Sequence, residues 1–110
     1  MKLKTFIAIY DKLNRDIFAN VLIRPMFRFT RSDSCHMQYV DYNNCSRTAI
    51  EINPIDICNP EHARAIMYHE MIHQYVHEHL HMVENNDHGP IFWRNYRMFA
   101  PKGIELGESL

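Results

Sequence analysis

Apolar residues recur along the first part of the chain at Leu3, Phe6, Ile7, Tyr10, Leu13, Ile17 and Phe18. This spacing collects them on one stripe and predicts an amphipathic helix from Leu3 to Phe18. Pro25 bars any further helix, because it lacks a backbone donor. Three strand-like runs follow: Met26 to Thr30, where Met26, Phe27 and Phe29 stand against Arg28 and Thr30, then Cys35 to Val40, then Thr48 to Ile52. Asp41-Tyr42-Asn43-Asn44 has turn chemistry, so the last two runs read as an antiparallel hairpin.

A second helix begins at a defined signal. Asn59 suits the N-cap, Pro60 the first helical position and Glu61 the positive end of the helix dipole. The pattern carries it to about Met82, where Asn85-Asn86-Asp87 breaks it. Projected at about 100° per residue, Ala65, Tyr68, Ile72, Tyr75, Val76 and Val83 form the expected core face. Gln74, Glu78 and His81 fall on the opposite side, with His69 and His73 at the edge. Pro90 opens a third helix bearing Phe92, Trp93, Tyr96 and Phe99, closed by Pro101 and Gly103. The order of helix, small sheet, helix and helix is that of an α+β fold.

At 110 residues the chain is expected to form one domain, 1–110, with a modest core. The formal net charge of −1 announces neither a nucleic-acid binder nor a membrane binder. Cys35, Cys45 and Cys58 are odd in number and make no C-x-x-C pair, which argues against a disulfide framework or a zinc ribbon. A reducing, intracellular location is expected. The apolar N-terminal run is broken by Asp11 and Lys12, unlike a signal peptide, and no stretch is long enough to span a bilayer.

Eight histidines are many for this length. His69-Glu70-Met71-Ile72-His73 matches H-E-x-x-H within the second helix. Residues four apart lie about 40° apart around a helix, so both imidazoles can reach one ion while Glu70 takes a proton from water. A third ligand has several candidates. His79 stands where an H-E-x-x-H-x-x-G-x-x-H pattern would put it, but Val76 replaces the glycine turn. His77 shares the stripe of His73, yet three ligands along one straight helix span about 12 Å and cannot converge. Glu84, Glu105 and Glu108 lack a supporting context. His88 follows the helix break and precedes Gly89-Pro90, so the chain can turn back toward the helix there. Its alternative role is to cap the next helix.

HEMIH, Asn85-Asn86-Asp87 and His88-Gly89-Pro90-x-Phe92 together resemble the SprT-like zinc metallopeptidases, in particular their Spartan-like protease domains. Phe18 to Leu22 and Ala49-Ile50-Glu51-Ile52-Asn53-Pro54 are similar to upstream segments of that family. The resemblance covers most of the chain. It implies a minimal zincin fold with an N-terminal helix, a three-stranded mainly antiparallel sheet, the active helix and a C-terminal helix. It also implies one Zn²⁺ per chain held by His69, His73 and His88, with Glu70 catalytic. The implied activity is cleavage of protein substrates, in some members proteins crosslinked to DNA. The sequence departs from the family in two expected absences, a C-terminal zinc ribbon and a long basic tail, which count against a DNA-linked role.

A DNA-contacting surface would draw on Arg24, Arg28, Arg31, Arg47, Arg94 and Arg97, with Tyr39 and Tyr42. Against it, 13 acidic residues balance the arginines, as on an ordinary solvated face. Tyr42, His77 and Arg97 are candidate donors to an oxyanion. The seven methionines read as core filler. Two other functions fit the motif less well. A zinc-stabilised binding module would have no use for Glu70. A deformylase-type amidohydrolase would need a glycine-cysteine context that no cysteine here has.

Overall fold

A computed structural model of the chain describes residues 1–31, 37–42, 47–57, 59–82 and 88–100. Its elements run α1 (Leu3–Asp16), β1 (Met26–Phe29), β2 (Met37–Tyr42), β3 (Arg47–Ile52), a 3-10 turn (Pro54–Asp56), α2 (Pro60–Gln74), a π-helical segment (Tyr75–His79) and α3 (Pro90–Phe99). Three helices and a small mixed sheet make an α+β architecture. The described part of the chain has no helix long and apolar enough to cross a membrane.

The first helix forms as its periodicity predicts, burying Phe6, Tyr10, Leu13 and Asn14. Each large apolar side chain removed from water contributes about 1.5–3 kcal/mol. The helix stops at Asp16, ahead of the expected Phe18 and well before Pro25. Ala19 and Asn20 take left-handed backbone angles (φ 51° and 61°), and the Asn20 amide donates to the Asn14 carbonyl at 2.8 Å. The buried Asn14 side chain then holds the returning chain. Its Nδ2 donates to the Leu22 carbonyl at 3.0 Å, and its Oδ1 accepts from the Leu22 amide at 3.3 Å. Phe18 sits where three helical segments meet, 5.0 Å from the Phe99 ring and 6.1 Å from those of Tyr68 and Tyr75.

The sheet has the order β1-β3-β2, with β1 parallel and β2 antiparallel to β3. The expected hairpin of β2 and β3 is present and supplies the longer, antiparallel ladder, but β1 joins in parallel, so the sheet is mixed. The reason lies in burial. Ala49, Ile50 and Ile52 of β3 are fully buried, so β3 takes the centre and β1 must pair on its free side. The strand bounds also shift, with β2 running Met37–Tyr42, so that Asp41 and Tyr42 belong to the strand. Cys35 and the turn residues Asn43 and Asn44 lie outside the described residues.

The register is consistent from strand to strand. Phe27, Ile50 and Tyr39 align across the sheet, as do Phe29, Ile52 and Met37, on the face toward the helices. Tyr10 meets Phe27 edge-on at 5.2 Å, and Phe6 meets Phe29 at 6.0 Å. The alternate positions Arg28, Glu51 and Gln38 align on the other face, where Arg28 Nε donates to Glu51 at 2.6 Å.

The second helix starts as expected. The Asn59 side chain accepts from the His62 amide at 2.8 Å, and Pro60 follows it. The single core face does not hold, because every residue from Ile66 to Ile72 is buried. The helix lies between α1, β2 and α3, so its middle stretch has no solvent side. Gln74, expected on the exposed side, is fully buried. It accepts from the Tyr10 hydroxyl at 2.8 Å and donates to the Ile23 carbonyl at 2.7 Å and to Glu78 at 2.6 Å. These bonds offset the desolvation of a buried amide. The helical path continues past Gln74, but as the π segment, and ends at Leu80. The expected break at Asn85-Asn86-Asp87, like Val83, lies outside the described residues.

Candidate metal centre

Two elements build the site. The long buried helix α2 carries His69 and His73 one turn apart, His69 only 6% exposed and His73 half-buried. His88 lies just ahead of α3, whose start fixes it. Gly89 is the buried N-cap residue, Pro90 opens the helix, and the Trp93 amide donates to the Gly89 carbonyl at 3.1 Å. Packing of Tyr96 on Tyr68, with ring centroids 5.0 Å apart, joins α3 to α2. The Tyr68 hydroxyl also donates to the Tyr96 carbonyl.

This packing brings three imidazoles together. His69 Nε2 is 3.0 Å and His73 Nε2 is 3.2 Å from His88 Nε2. One ring nitrogen from each histidine lies within 4.8 Å of the others, a grouping that could hold a metal ion. Imidazole nitrogens about 2.0–2.1 Å from a tetrahedral ion are themselves about 3.3 Å apart, close to both contacts. The chemistry of the donors agrees. A neutral imidazole has one N–H and one lone pair, so His88 Nε2 cannot satisfy both contacts by hydrogen bonding. One cation facing all three lone pairs can.

Burial keeps the lone pairs available. Desolvation, followed by the charges of His73 and His88, pushes His69 down to about 3. Desolvation, followed by His88, pushes His73 down to about 4. Glu70 is 7% exposed, and its Oε2 lies 3.9 Å from His69 Nε2. Its Oε1 accepts from the Tyr39 amide at 2.9 Å. Burial pushes the Glu70 carboxyl up to about 8, and the Tyr39 hydrogen bond opposes that rise. A cation at the histidines would oppose it too.

These shifts give the metal-free protein a defined pH profile. Between about 4.5 and 6.5 the unfolded chain protonates two imidazoles that the native state leaves neutral, while only native Glu70 keeps a proton. The unfolded state then binds one more proton net, so stability rises with pH by about 1 kcal/mol per unit. Between about 6.5 and 8 only Glu70 differs, the native state holds the extra proton, and stability falls as pH rises. Chemical denaturation in the presence of chelator is expected to place the maximum near pH 6.5. A profile flat from pH 5 to 8 would contradict the buried neutral histidines.

The other sequence candidates are not gathered here. His77 is half-buried on the π segment, its Nδ1 3.4 Å from the Tyr39 hydroxyl. His79 is exposed and stacks on Tyr75 at 4.8 Å, and His81 is exposed beyond the segment. Arg97 is exposed on α3. Glu84, Glu105, Glu108, the three cysteines and the Tyr42 side chain lie outside the described residues. Of the arginines considered for DNA contact, Arg24 pairs with Asp11 and Arg28 with Glu51.

Two features of the site escaped sequence reasoning. The Tyr39 amide on Glu70 is a backbone contact across 31 residues, for which the sequence carries no signal. Phe92, read in the sequence as an aromatic residue of the third helix with no role at the metal, packs on all three histidine rings, with centroids 4.9 Å from His69, 4.4 Å from His73 and 5.0 Å from His88. Comparison with known proteins adds no relative to this picture: no family model, curated protein or solved structure significantly matches the chain.

Proposed function

We propose that this chain is a zinc metallopeptidase that hydrolyses protein substrates, with the minimal zincin plan of the SprT-like enzymes. The observation that carries the proposal is the meeting of His69, His73 and His88 beside the buried carboxylate of Glu70. An all-imidazole donor set suits zinc among the common metals, and three protein ligands leave one position open. Zinc held there would supply Lewis acidity, lowering the pKa of water and polarising a scissile carbonyl.

The remaining work falls to the chain's own groups. The Tyr39 amide holds Oε1 of Glu70, leaving Oε2 on the side of the histidines. From there Glu70 removes a proton from the attacking water and delivers it to the departing amine. Burial raises the Glu70 carboxyl and a bound cation would lower it again, which leaves it able to take and return a proton near neutral pH. His88 is exposed, so the histidine cluster is open to a substrate from the α3 side.

The test is hydrolysis of an unfolded protein by the purified chain. Activity is expected to vanish on chelation and to return with one equivalent of zinc. A chain that binds zinc but cleaves nothing would instead be a zinc-stabilised module. Proteins held on DNA are the finer proposal for the substrate. It requires that DNA stimulate cleavage and that the stimulation fall steeply with salt.

A further inference from the structure

Metal-binding histidines ordinarily take their orientation from outside the coordination sphere. The ring nitrogen away from the metal donates to a carboxylate, a carbonyl or a water, which fixes the tautomer and the ring plane. His69 departs from this. Its Nε2 faces His88, while its Nδ1 is buried and has no hydrogen-bond partner among the described residues. Among the described residues, ring packing is the contact that holds this imidazole in place.

The ring of Phe92 supplies that contact. Its side chain is 1% exposed, on the first turn of α3. It stacks on His73 with the planes 29° apart, meets His88 edge-on at 81°, and lies tilted by 59° to His69. One rigid ring thus touches every member of the cluster, each on a different aspect. Phe92 is itself held on its other sides by Trp93 at 5.0 Å and Tyr96 at 5.9 Å. A flat ring with few rotamers, wedged among three imidazoles, restricts their rotation without any hydrogen bond.

We propose that Phe92 is a positioning residue that orients His69, His73 and His88 for metal binding by ring packing. In this role it does the work of a hydrogen-bonded outer partner, which His69 Nδ1 does not find among the described residues. The proposal rests on the metal-centre reading above and adds to it a cause for the ligand geometry. Phe92 also comes from the same helix start that fixes His88, so the docking of α3 delivers the third ligand and the wedge together.

The experiment is a cobalt titration of the full chain, following the visible ligand-field bands and competing the metal with a chelator. Phe92→Leu and Phe92→Met remove the flat ring but keep an apolar side chain. Ile50→Val is a control that trims one methyl group from the buried sheet, opposite Tyr39 and outside the histidine cluster. Circular dichroism of each metal-free protein first sets a temperature at which it is folded. Both Phe92 variants are expected to lose cobalt affinity by roughly 10–100-fold, the range seen when outer partners are removed. Their bands should also shift in position or intensity, while Ile50→Val keeps the wild-type affinity and spectrum. Phe92→Tyr, which retains the ring, should bind closer to wild type than either variant.

If a folded Phe92→Leu or Phe92→Met binds cobalt with the wild-type affinity and spectrum, the positioning role is wrong. Equal losses in Ile50→Val would also overturn it, since any core defect would then do the same. Failure of the wild-type chain to bind cobalt or zinc would refute the metal-centre reading instead.

Discussion

Glu70→Gln is expected to lower peptide hydrolysis by roughly 10²–10⁴-fold, the usual worth of a positioned general base, while zinc stays bound one per chain. The change is nearly isosteric. A glutamine oxygen can still accept the Tyr39 amide that holds Oε1. What is lost is the ability to take a proton from water and return it to the leaving amine. The fold should tolerate the change well, because burial already disfavours the charged form of Glu70. Metal-free Glu70→Gln should therefore be at least as stable as the wild type at pH 7. Initial rates on an unfolded substrate, read together with zinc content, check both halves. Equal rates in the two proteins would remove Glu70 from the chemistry.

The second large effect is expected on the metal itself. His88→Ala should weaken zinc binding by more than the 10–100-fold that an outer partner is worth, because a direct ligand is removed. The change has little structural cost, since His88 is exposed and the start of α3 rests on Gly89, Pro90 and the packing of Phe92 and Tyr96. By contrast, His77→Ala and His79→Ala should leave zinc affinity unchanged, since neither ring joins the cluster. Chelator competition on the four proteins separates these outcomes. Wild-type affinity in His88→Ala would transfer the third ligand elsewhere in the chain.

The helices were largely legible in the sequence because their signals are local. The apolar spacing of α1, the Asn59-Pro60 start of α2 and Pro90 at the head of α3 each act within a few residues. What escaped was set by distant contacts. The mixed sheet follows from the central place of β3, which is set by its pairing with both other strands and cannot be read from alternation within a strand. Gln74 looked solvent-facing because a projection assumes one buried side, and its partners Tyr10 and Ile23 are 64 and 51 residues away in sequence. The histidines divide the same way. His69 and His73 share a helix, so spacing alone places them together. The approach of His88 required a chain reversal that only its position before Gly89-Pro90 hinted at. The Tyr39 amide and the Phe92 wedge belong to tertiary packing.

The central claim is that three imidazoles, and no sulfur, hold one metal ion. X-ray absorption on the zinc-loaded chain measures this directly. The expected first shell is three nitrogens at about 2.0–2.1 Å plus one light atom from solvent, with imidazole outer-shell scattering. In His88→Ala that scattering should fall to two imidazoles. A sulfur shell at about 2.3 Å, or a wild-type spectrum unchanged by His88→Ala, would contradict it.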